Sequence, residues 1–573
     1  MEEFVIQRQI SYTSIFQNGS STLDEVIQNL PSQNAIEWVS YMYLLKSQQT
    51  INQPEHELFI SLLFKVNSQL QHSIVEYLQK VDISNYVFID KVALLILLEK
   101  LLSIHNDNKR ELSKDDFSNL MIAYLMCCDE RLSNNTNAID EFIDAEKFVR
   151  LYLPEQLKYN DIYFPKDYRV EFIKFYMFMD FCEKNEIFKP FLKIFLTSND
   201  TKNWDEYLFF VFDLYTNMTL NKDGCGNKII IEPNSYFGKK YIDAISLNVD
   251  KFQSSFDFKC IRENPVYFQG VDTYNVLALN FFLDKMFQSF IFDFAKILVK
   301  NKEQSKINNY TSFKGLIGEY FTEHVLFYEI MDRCFKETAK VKIGGRKLKE
   351  FLNEGEPDYY LRKGNNIFLF ELKDVLLNAK TKHCGDFDLI RSELLELFES
   401  SSYNRSSGET RRNAKPKGIN QLLNVIENKL EVINNEVDVI DYVGKLNVFP
   451  IIVYQDCCFD IEGVNYILND RFQKLQKSRN IQDKYTVKSL VMLSLTTLIQ
   501  LEDFFSDSKL DLGQILNGYI NECTQSELKK TLPFNKYLMR YAIEKGYNHK
   551  KTKWFDTIIN NLIEKERSMK IAI

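Results

Sequence analysis

The sequence predicts a multidomain protein: a mostly α-helical N-terminal region followed by a C-terminal α/β domain. Scarce turn residues are the first reason. Glycine numbers 19 and proline 11 in 573 residues, about 3% and 2% against a usual ~7% and ~5%. Few turn-makers imply long elements. Uneven placement is the second. Gly19 is the only glycine before Gly224, whereas eleven of the 19 lie between residues 311 and 470. More turns per residue mean shorter elements, as in a mixed α/β domain.

The length suggests about three or four domains. With 45% hydrophobic and 26% charged residues, the chain can bury a sizeable core, and disorder as its main state is excluded. The net charge of -8 excludes a uniformly basic nucleic-acid coat but allows a local basic site. Acidic residues directly after Met1 argue against a signal peptide. The apolar runs at 92–102 and 277–298 are broken by Glu99, Lys100, Asp284, Lys285 and Asp293, so no membrane span is expected. The 10 cysteines form no C-x-x-C pair, and His383-Cys384 lacks further ligand partners. Zinc and disulfide scaffolds are therefore not expected, and a reducing cytoplasm is.

Apolar residues at helical spacing recur through 35–48, 56–66 and 167–184, predicting a bundle or stack of helices over 1–220. Their many Phe and Tyr residues are core at that spacing rather than base-stacking platforms. At 222–234 the turn signals Asp223-Gly224 and Gly226 precede Ile229-Ile230-Ile231, which predicts a hairpin or small sheet reaching about residue 272. A long aromatic helix is expected over 274–299, then a polar linker over 301–309. A helix follows at 312–335, and a short strand or turn at 341–345. Two strands flank the Lys363-Gly364-Asn365 turn within 358–373. A polar loop at 405–418 leads into a helix at 419–433. Residues 447–456 form a near-continuous apolar strand of the kind buried on both faces. A strand at 489–495 runs into a helix at 496–505, and the remainder is helical. The segments are thus a helical domain (1–220), a hairpin element plus long helix (221–305), an α/β domain (306–510) and a helical extension (511–573).

One stretch carries a chemical rationale: EPDYYLRKGNNIFLFELKD, residues 356–374. Residues two apart in a strand share a face, so Glu371 and Lys373 project together while Leu372 turns away. The hairpin brings Asp358 alongside Glu371. Charges within so apolar a strand are costly unless they meet each other or a metal ion. Two carboxylates suit a hard cation such as Mg²⁺ or Mn²⁺, with the Leu372 carbonyl as a further oxygen. Lys373 would orient a water or stabilise charge on a phosphate.

Pro357-Asp358 followed by Glu371-Leu372-Lys373 resembles the PD-(D/E)xK nuclease superfamily, and the resemblance covers about residues 311–510. It implies a restriction-endonuclease-like fold with a mixed central sheet, and metal-dependent phosphodiester hydrolysis, in DNA more often than in RNA. It implies a metal-proximal acid on the helix ahead of the sheet. Glu319 in 314–327 is the first choice, because Gly315 and Gly318 would let the helix approach the sheet. Glu323, one turn on, is the reserve. One branch of the family carries a glutamine near the scissile phosphate, and Gln421 fits that place, although Val425 stands where the branch usually has tyrosine. A role as an antiviral defence effector, with residues 1–300 as a regulatory or recognition region, accords with the same resemblance.

Nucleic acid must be held despite the net negative charge. Two basic runs bracket the acidic motif: 340–349, with Lys347, and the loop with Arg405, Arg411, Arg412, Lys415 and Lys417. Within a Debye length such patches outweigh the net charge. No base-reading group is identifiable, so DNA is favoured over RNA by the resemblance alone. A protein partner or a homo-oligomer is a further expectation. The rival readings are a catalytically silent nuclease fold that binds nucleic acid or assembles, and a helical interaction protein without metal dependence.

Overall fold

A computed structural model describes the chain except residues 1–7, 17–20, 49–54, 134–143, 202, 221–225, 232–235, 400–416, 441–443, 480, 482–484, 508–509, 548–551 and 572–573. Helices make up 64% of it. The chain forms two compact units. One is Met1–Ala138 with Ile162–Asn308, and the other is Ile139–Asp161 with Asn309–Ile573. The segments expected at 1–220 and 221–305 thus share the first unit, apart from residues 139–161, which the second unit takes. Among the described residues no helix is long and apolar enough to cross a membrane.

In the first unit, helices Ser32–Gln48, Glu55–Leu63, Lys91–Ser103, Lys114–Ser133 and Tyr168–Lys184 take up the apolar stretches. Asp90 caps the Lys91–Ser103 helix, its carboxylate accepting from the Ala93 amide at 2.8 Å. This helix is buried on nearly every side. Its inward Glu99 is satisfied by the Ser254 hydroxyl and the Ser255 amide. The aromatic wealth is core: Phe175, Phe178, Phe195, Phe290 and Phe294 pack ring on ring.

The expected hairpin is part of a four-stranded sheet in the order 228–230, 273–276, 266–270, 246–247. The long helix expected over 274–299 requires correction. Thr273–Val276 is a strand paired antiparallel with Val266–Gly270. Two helices follow, Leu279–Asp284 and Gln288–Lys300, separated at Phe287 by a non-helical backbone. Aromatic residues alternate as well in a half-buried strand as they line a helix, and the partner strand decides.

The second unit is built on a mixed sheet. Its strands are β1 (Val341–Gly344), β2 (Tyr359–Lys363), β3 (Asn366–Lys373), β4 (Leu446–Tyr454), β5 (Tyr485–Val487) and β6 (Val491–Ser494). β1, β2 and β3 pair antiparallel, and β4 joins β3 in parallel. β5 and β6 lie one after the other along the far edge of β4, also in parallel. Gly364, at φ 58°, supplies the left-handed turn between β2 and β3. All of β4 except Asn447 is buried, which explains its unbroken apolar run. The parallel step needs a crossover, and helices Phe387–Glu399 and the 419–437 helix lie within it. The helix Ala145–Tyr163 supplies Phe148, Val149, Leu153 and Leu157 to the same core as Tyr360, Leu369, Ile426 and Ile452.

A buried ion pair pins β2 to the end of the 419–437 helix. The Arg362 guanidinium donates to both oxygens of Asp438, and the Tyr360 hydroxyl adds a third bond at 2.7 Å. Asp438 is fully buried and Arg362 nearly so. Asp438→Ala leaves a buried guanidinium uncompensated and is expected to destabilise the protein by about 3–5 kcal/mol. Urea unfolding checks this, and a loss below ~1 kcal/mol would show that the pair is dispensable.

Candidate active site

The geometry begins with the β2–β3 register. Tyr359 pairs with Phe370, so the next residues outward, Asp358 and Glu371, come side by side on one face. Asp358 enters β2 after the buried Pro357. One of its oxygens, Oδ2, accepts from the Leu372 amide at 2.6 Å. Leu372 thus engages Asp358 through its N–H.

Glu371 is 2% exposed. Its Oε1 accepts from the Lys373 ammonium at 2.7 Å and from the Gly418 amide at 3.2 Å. Its Oε2 is buried and has no hydrogen-bond partner. Leaving such an acceptor unsatisfied is costly, more so for a charged group. Asp438, by contrast, has both oxygens paired. Glu502 Oε2 and Asp503 Oδ1 are also open in this domain, but only the open oxygen of Glu371 stands beside a second buried carboxyl and an ammonium of the same hairpin.

The helix ahead of the sheet runs from Tyr310 to Phe335, and its middle, Ile317–Phe327, is π-wound. Such windings gather at functional positions. Lys314 and Thr322 tie this helix to the end of β3 by bonding Asp374 Oδ2 at 2.6 and 3.1 Å. The two candidate acids then separate. Glu319 is exposed, and its carbonyl is engaged by the His324 ring at 2.5 Å. Glu323 is partly buried and interacts electrostatically with Asp358, Glu371 and Lys373. The structure thus places Glu323, rather than Glu319, in electrostatic reach of the hairpin charges. The reason given for Glu319 also needs correction: a Cβ at Gly315 or Gly318 would meet only open space. The close approach is at Gly345, where a Cβ would lie 2.8 Å from the Pro357 carbonyl oxygen.

Three carboxylates around one ammonium perturb one another. Burial, then the Glu371 charge, pushes Glu323 up to about 7. Burial, then Glu371 and Glu323, holds Asp358 well above the carboxylate range. Burial alone would lower Lys373, but Glu371, Asp358 and Glu323 outweigh it and raise it. Lys373 is therefore a cation at neutral pH.

This has a measurable consequence. Glu323 and Asp358 bind protons more tightly in the folded state than in the unfolded one. The stability they allow is full below the unfolded carboxylate range and is lost as pH rises towards about 7. Without divalent cation the melting temperature should fall between about pH 5 and pH 7.5. Glu323→Gln should flatten that slope, and differential scanning fluorimetry with chelator reads it. An unchanged slope in this variant would remove Glu323 from the cluster.

The cluster fits a divalent cation as a two-carboxylate site. Glu371 Oε2 is open, and Asp358 and Glu371 repel each other until positive charge arrives. Mg²⁺ commonly takes one or two carboxylates and keeps several waters. Among the described residues no group of three or more His, Cys, Asp and Glu is arranged to hold a metal ion. Glu319 is exposed on the helix ahead of the sheet, whereas Glu323 is partly buried.

Gln421 lies on the 419–437 helix, where its amide donates to the Glu356 carbonyl at 2.5 Å. That bond fixes the chain just ahead of Pro357-Asp358. Lys347 and Lys417 are exposed. Arg405, Arg411, Arg412 and Lys415 lie outside the described residues. Sequence reasoning passed over Asp374 and Gly418. Asp374 sits next to Lys373 in a charged run, which was its only signal. Gly418 ends the basic loop, where an isolated glycine before a helix marks a special backbone. No family model, curated protein or solved structure matches the chain.

Proposed function

We propose that the second unit is a metal-dependent phosphodiester hydrolase acting on nucleic acid, of the PD-(D/E)xK kind. The observation that carries this is the juxtaposition of Asp358, Glu371 and Lys373, with one buried carboxylate oxygen left open. The surrounding order supports it: an acid-bearing helix, an antiparallel hairpin carrying both carboxylates, a crossover of helices, then a parallel strand. That is the order the sequence resemblance implies.

Asp358 and Glu371 would hold Mg²⁺ or Mn²⁺. A cation bound there supplies Lewis-acid charge stabilisation and a more acidic bound water. Lys373, protonated and held by Glu371, presents positive charge to a phosphate and orients the attacking water. Glu323, lifted to about 7 by burial and the Glu371 charge, would be a group able to exchange a proton near neutral pH beside such a cation. Gln421 and the Leu372 amide keep Asp358 in place. DNA is the preferred substrate class on the resemblance.

The test incubates the full chain with linear, circular and single-stranded DNA and with RNA, with Mg²⁺, Mn²⁺ or chelator. Metal-dependent cleavage that Asp358→Ala and Lys373→Ala remove is the expected result. Cleavage that persists in both variants places the chemistry elsewhere. Binding with no cleavage in any metal favours the silent nuclease fold.

A further inference from the structure

A second feature of this unit lies outside the carboxylate cluster. Between the end of the helix Val464–Lys477 and the edge strand β5 lies a pocket of about 350 Å³. Lys477, Arg479 and Lys488 line it with Gln473, Gln476 and Ser489, and among the described residues no acidic side chain does. In a chain of net charge -8, three cations around one concavity make a local positive field. Arg479 is anchored from behind, bonding Glu427 at 3.2 Å and Asn420 at 2.8 Å. Lys477 and Lys488 have no acidic partner among the described residues. Polar amides, a hydroxyl and free ammonium groups in a cleft are the donors an anion with several oxygens needs.

The pocket and the carboxylates share one face of the sheet. Glu371 and Lys373 stand opposite Ile452 and Tyr454 of β4, which pack in one core with Leu468 and Phe472 of the pocket helix. Asn420, the residue that Arg479 holds, is two positions from Gly418, whose amide bonds Glu371. β5 ends at Val487 opposite Val448, four residues before the level of Glu371 and two strands away. At about 3.3 Å per residue and about 4.8 Å per strand, Val487 is about 16 Å from Glu371. A duplex strand rises about 3.4 Å per nucleotide while it also winds about the axis, so phosphates about two to three steps apart span this distance.

We infer that this pocket is a backbone-phosphate subsite that anchors the nucleic-acid strand about two to three nucleotides from the bond held at Glu371. The inference rests on the nuclease reading for its ligand, although the pocket stands on its own residues. It contributes affinity and register without sequence preference, because the groups that line it match phosphate oxygens rather than base edges.

The test measures binding of a fluorescein-labelled 20-base-pair DNA by anisotropy, in chelator so that nothing is cut. Lys477→Ala with Lys488→Ala should weaken binding about tenfold near 0.1 M salt and reduce the salt slope by about 1.8, the value for two lost phosphate contacts. Gln476→Glu, which keeps both lysines, should weaken it in the same direction and guards against a folding artefact. Unchanged affinity and slope for the 20-mer overturn the subsite, while cleavage by wild type under Mg²⁺ would still uphold the nuclease reading. A tenfold loss in a protein that never cleaves upholds the subsite and rejects that reading. Displacement by pyrophosphate or AMP, with the DNA affinity of the variants unaltered, overturns the backbone assignment in favour of a small phosphate ligand.

Discussion

Glu371→Gln is expected to reduce metal-dependent cleavage at least ~10³-fold, about 4 kcal/mol of transition-state stabilisation, while leaving the fold intact. Both oxygens of Glu371 have distinct duties. Oε1 accepts from Lys373 and Gly418, and an amide can serve both only through its oxygen. Its NH₂ then takes the place of Oε2, the open acceptor. A donor there cannot ligate a cation. The negative charge that holds Lys373 protonated and lifts Glu323 is also lost. Without divalent cation the variant should therefore be no less stable than wild type at pH 7.5, because a buried like-charge repulsion is gone. The pair of readouts matters. A structural carboxylate would lose stability on substitution, whereas a catalytic one held at a cost would lose activity and keep or gain stability. Asp358→Asn should behave alike in activity. Cleavage at the wild-type rate by Glu371→Gln would place the chemistry elsewhere.

Much of this site was legible in the sequence because its signals are local. The period-two pattern of 359–373 and the Gly364 turn specify a hairpin, and the hairpin register alone brings Asp358 beside Glu371. The choice between the helix acids was not legible, because Glu319 and Glu323 lie one turn apart and only the packing of the helix decides which of them is exposed and which partly buried. Lys314 and Thr322, which fix this helix to Asp374, lie more than fifty residues from their partner. The Arg362–Asp438 pair spans a similar gap, and an arginine in a strand reads as an ordinary exposed position. Residues 139–161 show the same limit at the scale of a whole element. Their apolar face is plain, yet only the core formed with Tyr360 and Ile452 assigns it to the second unit.

Gly418→Ala should be the most damaging single-methyl change in the second unit. Gly418 has φ 59° and ψ -128°, a conformation that side chains rarely adopt. Strain of that kind costs of order 1–3 kcal/mol by itself. Space is the larger problem. A Cβ would lie 1.9 Å from the Phe398 carbonyl oxygen and 3.3 Å from the Lys373 Cε. Backbone cannot yield as a flexible side chain does, so either the end of Phe387–Glu399 or the start of the 419–437 helix must move. The sum should exceed ~4 kcal/mol, a size confined to such mechanisms. Because the Gly418 amide bonds Glu371, any surviving folded fraction should also cleave poorly. Gly315→Ala is the matched control. That glycine lies inside the helix Tyr310–Leu316 with open space at its Cβ position, so alanine should stabilise by about 0.5–1 kcal/mol. Thermal melts of the two variants then separate a glycine required by the site from one that is merely present. Equal stability in both would mean that the backbone around Gly418 relaxes freely, and its amide would then not be what holds Glu371 in place.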